Sequence, residues 1–112
     1  MLYDLPFPPS SNTYYRQWRG RMLLSRRGRE YRQEVADIVN GDRIEGRLAV
    51  YILLEPPTRR KFDIDNRIKP LLDALQYAKL FDDDEQVDEI KISRGDIVKD
   101  GRVLLQVTRR RK

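Results

Sequence analysis

The chain contains no cysteine and no histidine. The first absence removes disulfides, zinc–thiolate centres and thiol nucleophiles. The second removes imidazole acid–base catalysis and the commonest transition-metal ligand. Aromatic bulk is also scarce, with one Trp and three Phe, so a modest core shares the chain with a surface rich in charge, Asp, Glu, Lys and Arg making up 37% of residues. No stretch approaches the roughly 20 apolar residues that a membrane span requires, and no basic segment followed by an apolar one opens the chain. The expectation is a soluble, cytoplasmic protein with no membrane partner. Phosphate-cradling and dinucleotide-binding glycine motifs are missing, which argues against a nucleotide cofactor. What remains for chemistry is carboxylate, lysine, tyrosine and serine. That palette suits hard, oxygen-seeking cations, Mg²⁺ above all.

What is present points to a polyanion. The 112 residues fit one compact domain spanning 1–112, and their net charge is +5. Lysines and arginines gain affinity for phosphates by releasing condensed counterions. Residues 14–32 interleave aromatics with arginines, among them Tyr14, Tyr15, Arg16, Arg19, Arg21, Arg26 and Arg27, and the chain closes on Arg109, Arg110, Arg111 and Lys112. A solvated face or a disordered tail would produce the same runs.

Periodicity predicts an α/β domain of the α+β type. Residues 1–6 form a short apolar start, followed by turn chemistry from Phe7 to Asn12. Ser25 caps a helix over 26–40, with Tyr31, Val35, Ile38 and Val39 on its buried stripe and Gly41 closing it. Residues 46–54 are a nearly continuous apolar run that stops at Pro56 and Pro57, as a buried central strand would. A second helix over 66–79 buries Ile68, Leu71, Leu72 and Leu75, tolerates Pro70 only near its first turn, and turns Lys69, Asp73 and Gln76 outward. Strand-like runs at 86–93 and 102–108 suggest a C-terminal β-hairpin. The sum is a mixed sheet with two main helices.

Two acidic clusters carry the candidate chemistry. Asp63 and Asp65 stand where the chain enters the second helix, spaced so that both carboxylates can share one side and one cation. Residues 82–89 then place six acids in eight positions of a basic protein. Helix capping would account for one of the first pair, and a solvated acidic turn for the second cluster. An EF-hand is excluded because Arg67 and Ile68 occupy positions where a calcium loop needs a ligand and a glycine. Lys69 lies four residues from both Asp65 and Asp73, the spacing of an ordinary helix ion pair, yet beside a phosphate it would neutralise growing charge.

In order and spacing, Pro8-Pro9-Ser10-Ser11-Asn12-Thr13-Tyr14-Tyr15-Arg16, Asp63-Ile64-Asp65-Asn66-Arg67-Ile68-Lys69 and Asp84-Glu85-Gln86-Val87 resemble the RusA family of Holliday-junction resolvases. The similarity spans nearly the whole chain. It implies an Mg²⁺-dependent endonuclease, with Mn²⁺ able to substitute, that acts as a homodimer on branched DNA, above all the four-way junction. It further implies metal-binding catalytic carboxylates at Asp63, Asp65 and Asp84 and a catalytic lysine at Lys69. Asp84 is chosen over Asp83 because it precedes Gln86 by two, as the family's pattern asks. Asn12, Tyr14, Tyr15 and Arg16 match the family's N-terminal motif and are assigned to DNA contact or to shaping the site. Arg19, Arg21, Arg26 and Arg27 extend that assignment. A metal-independent DNA-binding module and a general RNase or flap nuclease are the competing readings.

Overall fold

A computed structural model describes residues 1–110. Its centre is β4 (Leu48–Glu55), which pairs on one edge with β5 (Val87–Arg94) in parallel and on the other with β6 (Arg102–Arg109) antiparallel. β1 (Leu2–Leu5) closes the far edge against β6, so the strand order is β1-β6-β4-β5. Leu48, Val50, Ile52 and Leu54 alternate with outward residues along β4 and are buried together with Val103, Leu105 and Val107 of β6. Two helices supply much of the rest of that core. α2 (Arg26–Val39) contributes Tyr31, Val35 and Val39, and α3 (Ile68–Tyr77) contributes Leu71, Ala74 and Leu75. Each fully buried aliphatic side chain is worth about 1.5–3 kcal/mol, so these residues dominate the stability of the α/β domain. Among the described residues no helix is long and apolar enough to cross a membrane.

Ser25 caps α2 as expected, its Oγ accepting from the Gly28 N–H at 2.9 Å. The helix closes on Asn40 in the left-handed conformation, one residue before the expected Gly41, and Ile38 stands 47% exposed rather than on the buried stripe. α3 starts later than expected, because a 3₁₀ turn (Ile64–Arg67) precedes it. Pro70 explains part of this entry. Its ring nitrogen cannot donate to the carbonyl four residues back, that of Asn66, and the Ser11 hydroxyl donates to that oxygen instead at 3.2 Å. α3 ends at Tyr77, short of residue 79.

The C-terminal strands form where expected, but they are not paired with each other: β4 lies between them. The connection over 95–101 crosses the end of β4, where Gly95 N–H donates to the Leu54 carbonyl and Val98 N–H to that of Pro56. A direct hairpin would have left one edge of the most apolar strand unpaired. The hairpin that does exist lies elsewhere, between β2 (Tyr15–Trp18) and β3 (Arg21–Leu24), after the short α1 (Ser11–Tyr14). Its two-residue turn uses positive φ at Arg19 and Gly20, the requirement of a turn that matches strand twist. Of the basic C-terminal run, Arg109 ends β6, and Arg110 donates its N–H to Arg47 and pairs with Asp88. Arg111 and Lys112 lie outside the described residues.

Candidate active site

The segment before α3 is fastened to the N-terminus. Arg67 Nη1 donates to the Pro8 carbonyl at 2.7 Å, while its guanidinium lies 5.2 Å from the Phe7 ring centroid and 5.3 Å from that of Phe62. Burial lowers the pKa of Arg67, and its buried Nε has no partner among the described residues. Phe62 meets Phe7 edge to face and carries the Arg94 guanidinium at 4.1 Å. Phe62 is thus part of a stack, and Phe81 is fully buried in the core.

That scaffold leaves a group of charges unused. Asp63 occupies the N-cap position of the 3₁₀ turn, yet its side chain makes no capping hydrogen bond. Asp65, one turn on, and Lys69 in the first turn of α3 are exposed and likewise form no hydrogen bond or ion pair with any described residue. The expected ion pair between Lys69 and Asp73 is absent because Asp73 accepts from Tyr14 and from Arg32, whose Nη2 is 2.8 Å away. Exposed Asp and Lys groups without partners cost the fold little and remain available to a ligand.

The acidic run 82–89 behaves differently. Asp82 pairs with Arg43, Glu85 and Asp88 with Arg47, and Glu89 accepts from the Tyr51 hydroxyl. Arg47 holds the Asp88 carboxyl below its ordinary pKa. Asp83 caps a second 3₁₀ turn (Asp84–Gln86), accepting from the Glu85 N–H at 2.9 Å. Gln86 completes the cap: its Oε1 accepts from the N–H of Asp82 and of Asp83, and its Nε2 donates to the carbonyls of Ile44 and Gly46. Gln76 of α3 accepts from the Asp84 N–H at 2.9 Å. Among these six acids only the Asp84 side chain is without a partner among the described residues, whereas Asp83 is spent on structure.

Two of these groups, Lys69 and Asp63, each line a cleft, while Asp65 and Asp84 line neither. One, of about 500 Å³, is lined by Asn12, Tyr15, Arg16 and Lys69. Tyr15 is within electrostatic reach of Asp84: its phenol pKa is raised by burial first, then by Asp73, with Asp84 adding to the effect. The other cleft, of about 400 Å³, holds Asp63 among Arg59, Arg60, Lys61 and Arg94. These four cations are functional candidates that local sequence pattern does not reveal. Arg59 to Lys61 read as the end of an extended segment, and Arg94 reaches the site only through the parallel pairing of β4 with β5.

The other expected DNA contacts divide. Tyr14 is fully buried and shapes the site from below, its hydroxyl bonded to Asp73 and Arg32. Arg19 stacks on Trp18 at the hairpin turn, and Arg21 is exposed on β3. Arg26 and Arg27 pair with Glu30 and Glu34 of their own helix, and neither lines the two clefts.

Among the described residues no three acidic side chains stand close enough to hold one metal ion between them. The donor chemistry still suits Mg²⁺, a cation commonly bound by one or two carboxylates while water and substrate phosphate supply the other oxygens. Asp63 and Asp65, two residues apart at one turn, offer carboxylate oxygens of that kind, and Asp84 offers another from a separate turn.

Comparison with known proteins gives the same direction. A family model described as Endodeoxyribonuclease RusA matches residues 6–108. A protein of Enterobacteria phage HK97 named crossover junction endodeoxyribonuclease is 37% identical over 110 residues, covering 95% of this chain and 92% of the relative. Relatives with the same name from Enterobacteria phage 82 and Escherichia coli strain K12 are 39% and 38% identical over 108 residues, covering 93% of this chain and 90% of each relative. With a family model across most of the chain and relatives aligned nearly end to end, the chain belongs to the RusA family of endodeoxyribonucleases.

Proposed function

We propose that this protein is a crossover junction endodeoxyribonuclease that nicks four-way DNA junctions in an Mg²⁺-dependent reaction, with Asp63, Asp65 and Asp84 as metal-binding carboxylates and Lys69 as the catalytic lysine. The observation that carries the site is that these four side chains have no partner among the described residues, in a molecule that pairs most of its neighbouring acids. Mn²⁺ should replace Mg²⁺, since both accept carboxylate and water oxygens. When bound, the metal supplies Lewis acidity at the phosphate and promotes ionisation of water.

The chain's own residues do the rest. Asp63 and Asp65 present oxygens from one turn and Asp84 from another. Lys69 stabilises negative charge growing on a nonbridging phosphate oxygen, an interaction stronger in the transition state than in the ground state. Asn12, Tyr15 and Arg16 bind the strand on the Lys69 side, and Arg59, Arg60, Lys61 and Arg94 bind it on the Asp63 side. The raised pKa of Tyr15 keeps its phenol protonated, so it donates a hydrogen bond and adds no charge. A twofold homodimer presents two such sites to the symmetry-related strands of a junction and gives paired nicks, each with a 5′-phosphate and a 3′-hydroxyl.

The test is incubation with an immobile four-way junction in Mg²⁺ or in EDTA, with cut positions mapped on all four strands and linear duplex, flap and RNA run beside it. Symmetric, metal-dependent nicks near the branch are expected. Binding without nicks in either Mg²⁺ or Mn²⁺ would turn the reading to a DNA-binding module, and preferred cutting of flap or RNA to a different nuclease.

A further inference from the structure

Resting on the role of Lys69 just proposed, we infer that Tyr14 and Arg32 form a clamp that disarms Asp73, keeping a carboxylate on the DNA-facing side of α3 from pairing with Lys69 or repelling the phosphate. Asp73 is four residues from Lys69 in the same helix and three before Gln76, whose side chain fixes the Asp84 turn. It therefore stands between the lysine and the third carboxylate on one helical face. Left alone it would be the natural partner of Lys69 and a fourth negative charge under the substrate.

The geometry prevents this. A single oxygen of Asp73, Oδ2, accepts from Arg32 Nε at 2.9 Å, from Arg32 Nη2 at 2.8 Å and from the Tyr14 hydroxyl. Arg32 Nε also donates to the Tyr14 oxygen at 3.0 Å, and its guanidinium lies 5.0 Å from the Tyr77 ring centroid, which fixes the fork in place. The pair is about 30% exposed, so it is screened less than a surface ion pair. The Arg32 fork approaches one carboxylate oxygen with two donors, a charge-assisted arrangement stronger than a single ammonium contact at helix spacing. The clamp also joins α1, α2 and α3 directly under Tyr15 and so explains why the first tyrosine of the N-terminal motif is buried while the second lines the cleft. Arg32 and Tyr14 are positioning residues: they touch no substrate and act through Asp73.

The test combines Arg32→Gln with Asp73→Asn and reads two quantities at a temperature well below each variant's Tm. One is junction cleavage. The other is the rate at which acetic anhydride acylates Lys69, measured by mass spectrometry, which needs no activity. Arg32→Gln should slow cleavage three- to tenfold and slow acylation of Lys69 several-fold, because Asp73 is released onto the amine. Adding Asp73→Asn should return both to within about twofold of wild type. If Arg32→Gln does not fold, Tyr14→Phe keeps the ring, removes one donor, and should give smaller changes of the same sign with the same rescue.

Unchanged acylation of Lys69 in the single variant, or cleavage in the double variant as slow as in the single, overturns the clamp and leaves Arg32 a purely structural residue. The underlying reading fails separately. If Lys69→Met cuts junctions at the wild-type rate, Lys69 is not catalytic, whatever the acylation shows.

Discussion

The two acidic segments that flank α3 have opposite fates. Around Asp82–Glu89 nearly every carboxylate is engaged, by Arg43, Arg47, Arg110, Tyr51 or a backbone N–H, whereas the side chains of Asp63 and Asp65 engage none of the described residues. The denser cluster is therefore mostly architecture, and the sparser one is where the fold leaves charge unspent. Asp84 is the exception within the dense cluster, its side chain unpaired among the described residues like those of Asp63 and Asp65. In a chain this charged, the mark of a site is an unsatisfied group held in place by satisfied neighbours.

Substitutions that exchange the two fates separate them most sharply. Asp63→Asn, Asp65→Asn and Asp84→Asn should each lower junction cleavage on the order of 10²- to 10³-fold, the scale of losing one preorganised electrostatic group. Each should change stability by less than about 0.5 kcal/mol, since these side chains hold no other part of the fold. Asp83→Ala should do the reverse, weakening the fold by about 1 kcal/mol through loss of its cap while cleavage stays within a few-fold of wild type. Chemical denaturation and single-turnover kinetics on the same four variants check this. Lys69→Met should come next, lowering kcat ten- to a hundredfold with little change in junction affinity.

A third contrast concerns cations. Arg16→Ala or Arg60→Ala should weaken binding and reduce the salt slope of log K by about 0.9 for each phosphate no longer neutralised, read by titration at several salt concentrations. Arg27→Ala should leave that slope unchanged, because Arg27 is paired with Glu34. The smallest effect is on pH. Arg47 depresses the Asp88 carboxyl below its ordinary 3.8, so the stability it contributes is complete above that value and lost as pH falls through the lower, folded one. The Tm gap between wild type and Arg47→Gln should be constant above about pH 5 and should narrow below pH 3.8.

Local patterns make much of this legible. Tyr31, Val35 and Val39 at helical spacing, Ser25 as a cap and the apolar run of β4 locate α2 and the central strand. Long-range pairing is less accessible. Nothing local says that β5 will run parallel beside β4, and that pairing is what brings Arg94 to Phe62 and Asp63. The β2–β3 hairpin is masked by its arginines, although Arg19-Gly20 between Trp18 and Met22 is a compact turn signal. Buried Tyr14 cannot be told from half-buried Tyr15 in a Tyr-Tyr pair, because the distinction is made by Asp73 and Arg32 from distant helices. The free state of Asp84 depends in the same way on Gln76 and Gln86.

The central claim, that the unpaired carboxylates serve chemistry rather than folding or DNA binding, is tested most directly by Asp63→Asn on an immobile four-way junction, with binding and cleavage measured on the same preparation. Wild-type Tm, junction affinity equal to or tighter than wild type, and cleavage in Mg²⁺ reduced at least about 100-fold are expected. Cleavage at the wild-type rate, or a loss of cleavage that merely tracks a loss of folding or binding, would contradict it.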